Sequence, residues 1–576
     1  MESIPVEQDG RTPTIEDDPA LGLSQRAKME VLFAVLLGLF LGALDQTIVG
    51  PALPTIVTQL AGNDIYVWAV TIYLLTSTIS VPFWGKLSDL YGRKPMFMIG
   101  IIIFLVGSAL SGLSQNMTQL ILFRGIQGIG AGSLFPIALA VIGDLFTPAE
   151  RGKYQGLFGA VFGIAFIVGP LVGGFLTENI GWHWIFYVNV PVGLLSLYFI
   201  WRLLPTIKTP RASRNFDFLG GAIFTVAISA LLIGLTQKGQ TNPVTHRLYD
   251  WTDATVGGLI LAALVGIALF LWAESRAKEP IVPLQLFRNR TYAASMVATF
   301  FASFAFFGAI IFLPRWFQIV QGFSPTWSGL AALPLMAGLI FSSITSGLIV
   351  ARTGRYKWLA VGAIVLMGIS TLLMTQLRAD TSLPIVWLWM FIAGLGVGPT
   401  FAVFTLIVQN AVPFNLLGVA TSNLTFFRQI GGTVALAIVG TIFSASLLEE
   451  IGPQLTAAGT PQQLVEGFTA GINSGQIDFQ GLTGTGDLGQ AILANSGPAA
   501  PMIEPYISNI VAGIHQAFSL GVANTFWVGV GAAILAAFAA AAMQELSLRS
   551  RHPSPAGAAE PSTPKEAGRP VLPATD

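Results

Sequence analysis

The chain contains no cysteine, which excludes disulfides, thiolate metal sites and cysteine nucleophiles. Histidine is scarce: His183, His246, His515 and His552 are the whole set. All four fall in expected loops or in the C-terminal tail, which argues against a histidine proton relay inside a membrane. Charge is scarce as well. Asp, Glu, Lys and Arg make up 10% of the 576 residues and cancel to a net charge of zero, whereas soluble domains carry about 25% charged residues. A neutral chain has no basic footprint for nucleic acid. No G-x-x-x-x-G-K-[ST] stretch is present to cradle ATP phosphates. No catalytic constellation is visible, so no enzyme activity, cofactor or metal is expected. Any pumping has to draw on an ion gradient or on the gradient of the substrate itself.

Apolar sequence is abundant. Hydrophobic residues make up 53% of the chain and mean hydropathy is +0.69, the profile of a protein that crosses a membrane many times. The apolar runs predict fourteen spans, near 29–50, 66–84, 95–114, 118–142, 154–177, 184–203, 216–235, 253–272, 292–313, 327–350, 357–377, 384–409, 420–445 and 520–543. An even number of spans puts both termini on one side. With the termini inside, four of the 29 Lys and Arg fall in outer loops (Lys238, Arg247, Arg315, Arg378), Arg124 and Arg428 fall within spans, and the other 23 lie on the inner side. That bias predicts cytoplasmic termini. Residues 1–28 and 548–576 read as polar, disordered tails. Residues 446–519 read as one long outer segment that carries acids but neither Lys nor Arg.

Residues 85–94, GKLSDLYGRK, read as a short basic loop between the second and third spans. Gly85 and Gly92 suit a tight reversal or a close backbone approach. Asp89 and Arg93 can pair if the stretch begins as a helical turn. A related stretch, GLIVARTGRYK from Gly347 to Lys357, follows the tenth span, with Ala351 at the position of Asp89. Spans 9–14 then repeat spans 1–6, and spans 7 and 8 are an insertion. The expected divisions are an N-terminal six-helix bundle at 29–203, inserted helices at 204–273, helices 9–13 at 274–445, the outer loop at 446–519 and the last helix at 520–547. Repeats of this kind build transporters with a site between the halves.

Charges within spans are the strongest functional signal, because each costs several kcal/mol unless paired or hydrated. Asp45 in the first span and Arg124 in the fourth both fall about 9 Å below the outer edge, at 1.5 Å per residue. Matched depth permits their interaction without requiring it; a static buried ion pair and a proton-carrying acid are both consistent with it. Arg428, two turns into span 13, is expected to snorkel or to touch a gate. In span 5 the pairs Gly159/Gly163 and Gly169/Gly173 are four apart, with Pro170 between them; such spacing admits a partner helix closely, and the proline bends the span.

Five stretches together resemble the major facilitator superfamily, and within it the fourteen-helix drug:proton antiporters: LDQTIVGPALP (44–54), GKLSDLYGRK (85–94), LILFRGIQGIGAG (120–132), GAVFGIAFIVGPLVGG (159–174) and WHWIFYVNVPVG (182–193). FFRQIGG at 426–432 also looks familial. The sequence departs from the pattern at Gly50, where Asn is usual, and at His183, where Arg is common. The resemblance implies an all-α fold of two six-helix bundles plus a two-helix insertion. It implies Asp45 as the proton-linked acid, tuned by Arg124. Gly85, Asp89, Gly92 and Arg93 would form a cytoplasmic gate with Asp144, with Asp89 facing the N-terminus of span 13. Gly163, Gly169, Pro170 and Gly173 would form the antiporter motif of helix 5. Gln46, Tyr73, Gln127 and Phe306 are candidate cavity-lining residues. The expected protein is a monomeric, proton-coupled exporter of amphiphilic or cationic drug-like compounds in the plasma membrane, working by alternating access. The alternative is export of one endogenous metabolite, such as a lipid precursor, siderophore or antibiotic, by the same antiport.

Overall fold

The computed structural model describes residues 23–60, 65–206, 216–238, 249–473, 488–497 and 500–548. The regular elements among them are all helical, and fourteen helices are long and apolar enough to cross a membrane. They are α1 (Gln25–Gln59), α2 (Val67–Tyr91), α3 (Arg93–Gly112), α4 (Met117–Leu145), α5 (Pro148–Asn179), α6 (Trp184–Leu203), α7 (Phe218–Lys238), α8 (Gly257–Glu274), α9 (Arg290–Ile319), α10 (Thr326–Thr353), α11 (Lys357–Met374), α12 (Leu383–Ala411), α13 (Leu417–Ala457) and α14 (Ile507–Ala541). The protein is an all-α membrane protein.

Local chemistry starts several of these helices. The Ser24 hydroxyl accepts from the Ala27 amide at the head of α1, and Asn116 accepts from Gln119 at the head of α4. Thr147 and Glu150 form a reciprocal capping box on α5. Asn289 accepts from the amides of Thr291 and Tyr292 on α9.

Several boundaries differ from the sequence reading. The stretch 85–94 is not a loop: helix α2 runs to Tyr91, α3 starts at Arg93, and Gly92, at φ 100°, is the one residue between them. Helix α1 starts at Gln25, inside the expected 1–28 tail, and passes through Pro51 and Pro54. The rest of that tail, 1–22, and residues 549–576 lie outside the described residues. The expected 446–519 segment is largely taken up at its ends by helix. Helix α13 continues to Ala457 and α14 begins at Ile507, with a helix at Gln462–Asn473 between them. The extension holds because Leu447, Ile451 and Leu455, four apart, form an apolar stripe. The stripe is buried in one core with Val465, Phe468, Ile510 and Ile514.

The two halves pack alike. In the first, α1 meets α5 and α6, α2 meets α4, and α3 meets α4 and α6. In the second, α9 meets α13 and α14, α10 meets α12, and α11 meets α12 and α14. Each pairing recurs eight helices later, which places α9–α14 as a repeat of α1–α6. The principal contacts between halves obey the same relation: α2 packs on α13, and α5 packs on α10. Glycines allow both approaches. A methyl group at Gly85 would overlap the Ser422 side chain and crowd the Gly418 carbonyl of α13, and one at Gly347 would overlap the Gly152 carbonyl of α5. The hairpin α7–α8 lies along this seam. Phe224, Ile228 and Leu232 of α7 share a core with Leu75 and Ile79 of α2 and with Phe426 and Ile430 of α13.

Gly347→Ala is therefore expected to cost about 1–3 kcal/mol through overpacking and to lower the thermal unfolding midpoint in detergent. Gly440, where an added methyl group meets nothing within 4 Å, is the control. Gly440→Ala should hold or raise the midpoint, since alanine is the better helix former. Equal midpoints for the two variants would contradict the close inter-half contact.

Candidate functional site

Asp45 lies on α1, six residues before Pro51, and its carboxylate is fully buried. The environment is polar. Arg124 Nη1 of α4 donates to Asp45 Oδ2 at 2.9 Å. Gln127 Nε2, one turn further along α4, donates to Oδ1 at 2.7 Å. Asn189 Nδ2 of α6 donates to the same oxygen at 2.8 Å. The matched depth of Asp45 and Arg124 has thus become a direct ion pair, with two amides completing the shell.

Arg124 is held in turn. Its Nη1 also donates to Gln127 Oε1 at 2.9 Å, and its guanidinium lies 3.9 Å from the centre of the Tyr73 ring. Asn189 also donates to Ser108 Oγ at 3.1 Å, and Ser108 donates to the Phe186 carbonyl. Removing either charge would leave the other uncompensated in a dry interior, at a cost of about 3–5 kcal/mol. Asn189 lies in the stretch 182–193 but carries no formal charge, so nothing in its residue type marked it as a partner of Asp45.

The expected cavity residues divide. Tyr73 and Gln127 are closed off from solvent and belong to the Asp45 cluster. Gln46 is exposed. Phe306 is buried at the seam between the halves, 6.4 Å from Phe162 of α5 and 6.2 Å from Phe401 of α12.

A second charged cluster lies at the end of the bundle where α1 begins and α14 ends. Arg93 forms ion pairs with Asp89 and, through Nε at 2.8 Å, with Asp144. Arg151, also buried, lies near Asp144, and the N-terminus of α13 meets Asp89. The amides of Gly418 and Val419 donate to the two Asp89 oxygens at 3.1 and 2.9 Å, where the helix dipole is positive. Asp89, Arg93 and Asp144 are all buried. Gly85 and Gly92 act on either side of the cluster, one by close approach to α13 and one by its positive φ.

Two further bridges at this end went unread in the sequence. Lys86, buried on α2, donates to Glu279 at 2.8 Å and so ties α2 to the segment between α8 and α9. Gln155 of α5 donates to Gln409 of α12 at 2.8 Å. Gln409 donates onward to the Leu139 carbonyl and to Thr421, joining four helices of both halves through one buried amide pair.

The glycines of α5 face two partners. Gly163 packs on Ile340 of α10, while Gly169 and Gly173 pack on Thr47 and Ile48 of α1. The Thr47 hydroxyl donates to the Ala165 carbonyl at 3.0 Å, and a methyl group placed on Gly329 of α10 would come into contact with Pro170. Arg428 does not snorkel. Its guanidinium lies 4.3 Å from the centre of the Phe401 ring, and Nη2 donates to the Thr400 carbonyl at 3.0 Å.

Two repeated six-helix halves with buried charge at one seam and along one half define a membrane transporter rather than an enzyme. The family model described as Major Facilitator Superfamily matches residues 35–436, and the chain belongs to that superfamily. It is 38% identical over 518 residues to the multidrug transporter protein MdtP of Bacillus subtilis (strain 168), covering 88% of this chain and 92% of that protein. It is 37% identical over 412 residues to multidrug resistance protein 3 of the same organism, covering 72% and 79%. The solved structure of the proton:xylose symporter XylE aligns with a TM-score of 0.54 at 14% identity, over 90% of this chain and 95% of that one, and so shares the fold.

The Asp89 contacts give a direct test of the second cluster. A cysteine at Ser422, which faces Gly85 across the seam, is the only thiol in an otherwise cysteine-free chain. In Asp89→Asn, loss of charge-assisted bonds of about 1.5–3 kcal/mol is expected to speed its labelling by a water-soluble maleimide at least about tenfold. The reagent is applied from the side bearing the termini. An unchanged rate would mean that Asp89 does not hold this end shut.

Proposed function

We infer that the protein is a proton-coupled exporter of amphiphilic drug-like compounds, cations included, that works by alternating access as a monomer in the plasma membrane with both termini in the cytoplasm. The observation that carries this reading is the burial of one carboxylate, Asp45, inside a shell of three aimed donors. The Lys and Arg bias toward the side of the termini supports the orientation, and the names of the two Bacillus relatives support multidrug efflux.

The chemistry of the shell suits a group that changes charge. As a carboxylate, Asp45 accepts from Arg124, Gln127 and Asn189. As an acid it has a proton to donate, and the Asn189 carbonyl oxygen is buried with no hydrogen-bond partner among the described residues. Rotation of that amide turns a donor to the carboxylate into an acceptor for the acid. Protonation also releases Arg124 from its counter-ion, which weakens the tie between α1 and α4.

Closure at the cytoplasmic end would come from Asp89 on the head of α13 and from the Gln155–Gln409 pair. Breaking these contacts opens that end, and the glycine faces of α5 keep α1 and α10 in register as it does so. Inward proton flow through Asp45 then drives the cycle toward export.

Everted vesicles loaded with a pH-sensitive dye and energised to an acid interior test the coupling. Ethidium or N-phenyl-1-naphthylamine should trigger proton efflux with the wild type. With Asp45→Asn, at equal protein and equal thermal stability, the response should disappear. A compound-dependent proton efflux that survives Asp45→Asn would overturn the assignment.

A further inference from the structure

We propose that Arg428 and the phenylalanines around it form a subsite for the anionic group of an aromatic amphiphile. The proposal rests on the exporter reading and narrows its substrate class.

The argument begins with charge. Away from the helix ends, the membrane helices hold Asp45, Arg124 and Arg428. Asp45 and Arg124 neutralise each other, which leaves Arg428. It has no carboxylate to turn to: between Arg290 and Leu448 the sequence contains one acid, Asp380, in the segment that joins α11 to α12. Among the described residues Arg428 forms no ion pair. Its position on α13 is eleven residues from the start of the helix, about 16 Å along it and near the middle of a hydrocarbon core about 30 Å thick. A cation held there without a counter-ion is costly and marks a functional position.

The hydrogen bonds point the same way. Of the five N–H donors of a guanidinium, one is used on the Thr400 carbonyl, while Nε is buried with no partner. The Phe401 ring under the guanidinium fixes its plane. A carboxylate or sulfonate brought to this fork would satisfy the idle Nε–H and supply the missing negative charge in one step.

The surroundings suit an aromatic body. Phe401 is 5.4 Å from Phe162, which is 5.6 Å from Phe166 and 6.4 Å from Phe306. Phe162 and Phe166 belong to α5, and Phe306 and Phe401 to the other half, so this cluster lies on the seam that alternating access must open. Arg428 is only part-buried, and the Phe401 ring of that cluster lies against its guanidinium. A cationic ligand would meet a fixed like charge here with the Phe401 face already occupied.

8-Anilinonaphthalene-1-sulfonate and N-phenyl-1-naphthylamine share one aromatic body and differ by the sulfonate. Both are tested on the purified full chain, by calorimetric binding and by probe-driven proton movement in proteoliposomes. Arg428→Gln is expected to weaken sulfonate binding at least about tenfold, leave the neutral probe within about twofold, and keep proton movement driven by the neutral probe. Arg428→Lys should retain most of the sulfonate affinity. Equal loss for both probes in Arg428→Gln, or a wild type that binds the neutral probe but not the sulfonate, overturns the subsite. Proton movement that persists in Asp45→Asn would instead count against the exporter reading, while the binding comparison still decides the role of Arg428.

Discussion

A charge inside a membrane has to be met by an opposite charge or by aimed dipoles, and the organisation of this protein follows from where that condition is satisfied. At Asp45 a cation and two amides meet the charge. At Asp89 one cation and the amides that open α13 meet it. The two solutions differ in what undoes them. The first is internal to the N-terminal half and, in the proposed function, would respond to a proton. The second spans the two halves and responds to their separation. A transporter needs both kinds, one to sense its driving ion and one to hold a conformation. At Arg428 the condition is not satisfied by the chain itself, and there a ligand can supply what is missing.

The repeat explains how one architecture carries unequal chemistry. The helix pairings of the first half recur in the second, and the glycine contact at Gly85 has its counterpart at Gly347. The tight turns at Gly92 and Gly354 both take positive φ. The charges do not recur. Ala351 stands where Asp89 stands in the first copy, so the α5–α10 seam is held by backbone proximity while the α2–α13 seam is also held by hydrogen bonds from the Gly418 and Val419 amides to the Asp89 carboxylate. Rocking of the halves would therefore break polar contacts on one side and slide glycine faces on the other. The insertion α7–α8 lies over the polar side, against both α2 and α13, and Lys86 ties the segment that follows it to α2.

Much of this was legible in the sequence because hydropathy and charge report on membrane burial directly. The number of spans and the insertion followed from apolar length and from the repeated Gly-Arg turn; matched depth permitted the Asp45–Arg124 pair and a helical turn the Asp89–Arg93 pair without requiring either, and the place of Asp89 at the head of α13 came from the family resemblance. The misreadings have physical causes. The stretch 85–94 read as a loop because it is polar, yet its polar groups are buried against one another and against α13, which allows helix to continue. The extension of α13 past Glu449 and Glu450 was hidden from hydropathy by those two acids, although the Leu447, Ile451, Leu455 stripe was present in the text of the sequence. Asn189 and the Gln155–Gln409 pair were missed because neutral amides give no sign of which distant residue they will bond. Arg428 was expected to snorkel or to touch a gate; Phe401 and the Thr400 carbonyl hold it inside.

The central claim is that Asp45 changes protonation when substrate binds, and proton release on binding tests it without transport. N-phenyl-1-naphthylamine carries no titrating group in this range, so any proton released when it binds the purified protein in weakly buffered detergent solution comes from the protein. Across about pH 5 to 8 the account expects release that rises to a maximum of ~one proton per probe bound and is absent in Asp45→Asn, even where that variant binds the probe. The same release from Asp45→Asn as from the wild type would contradict it.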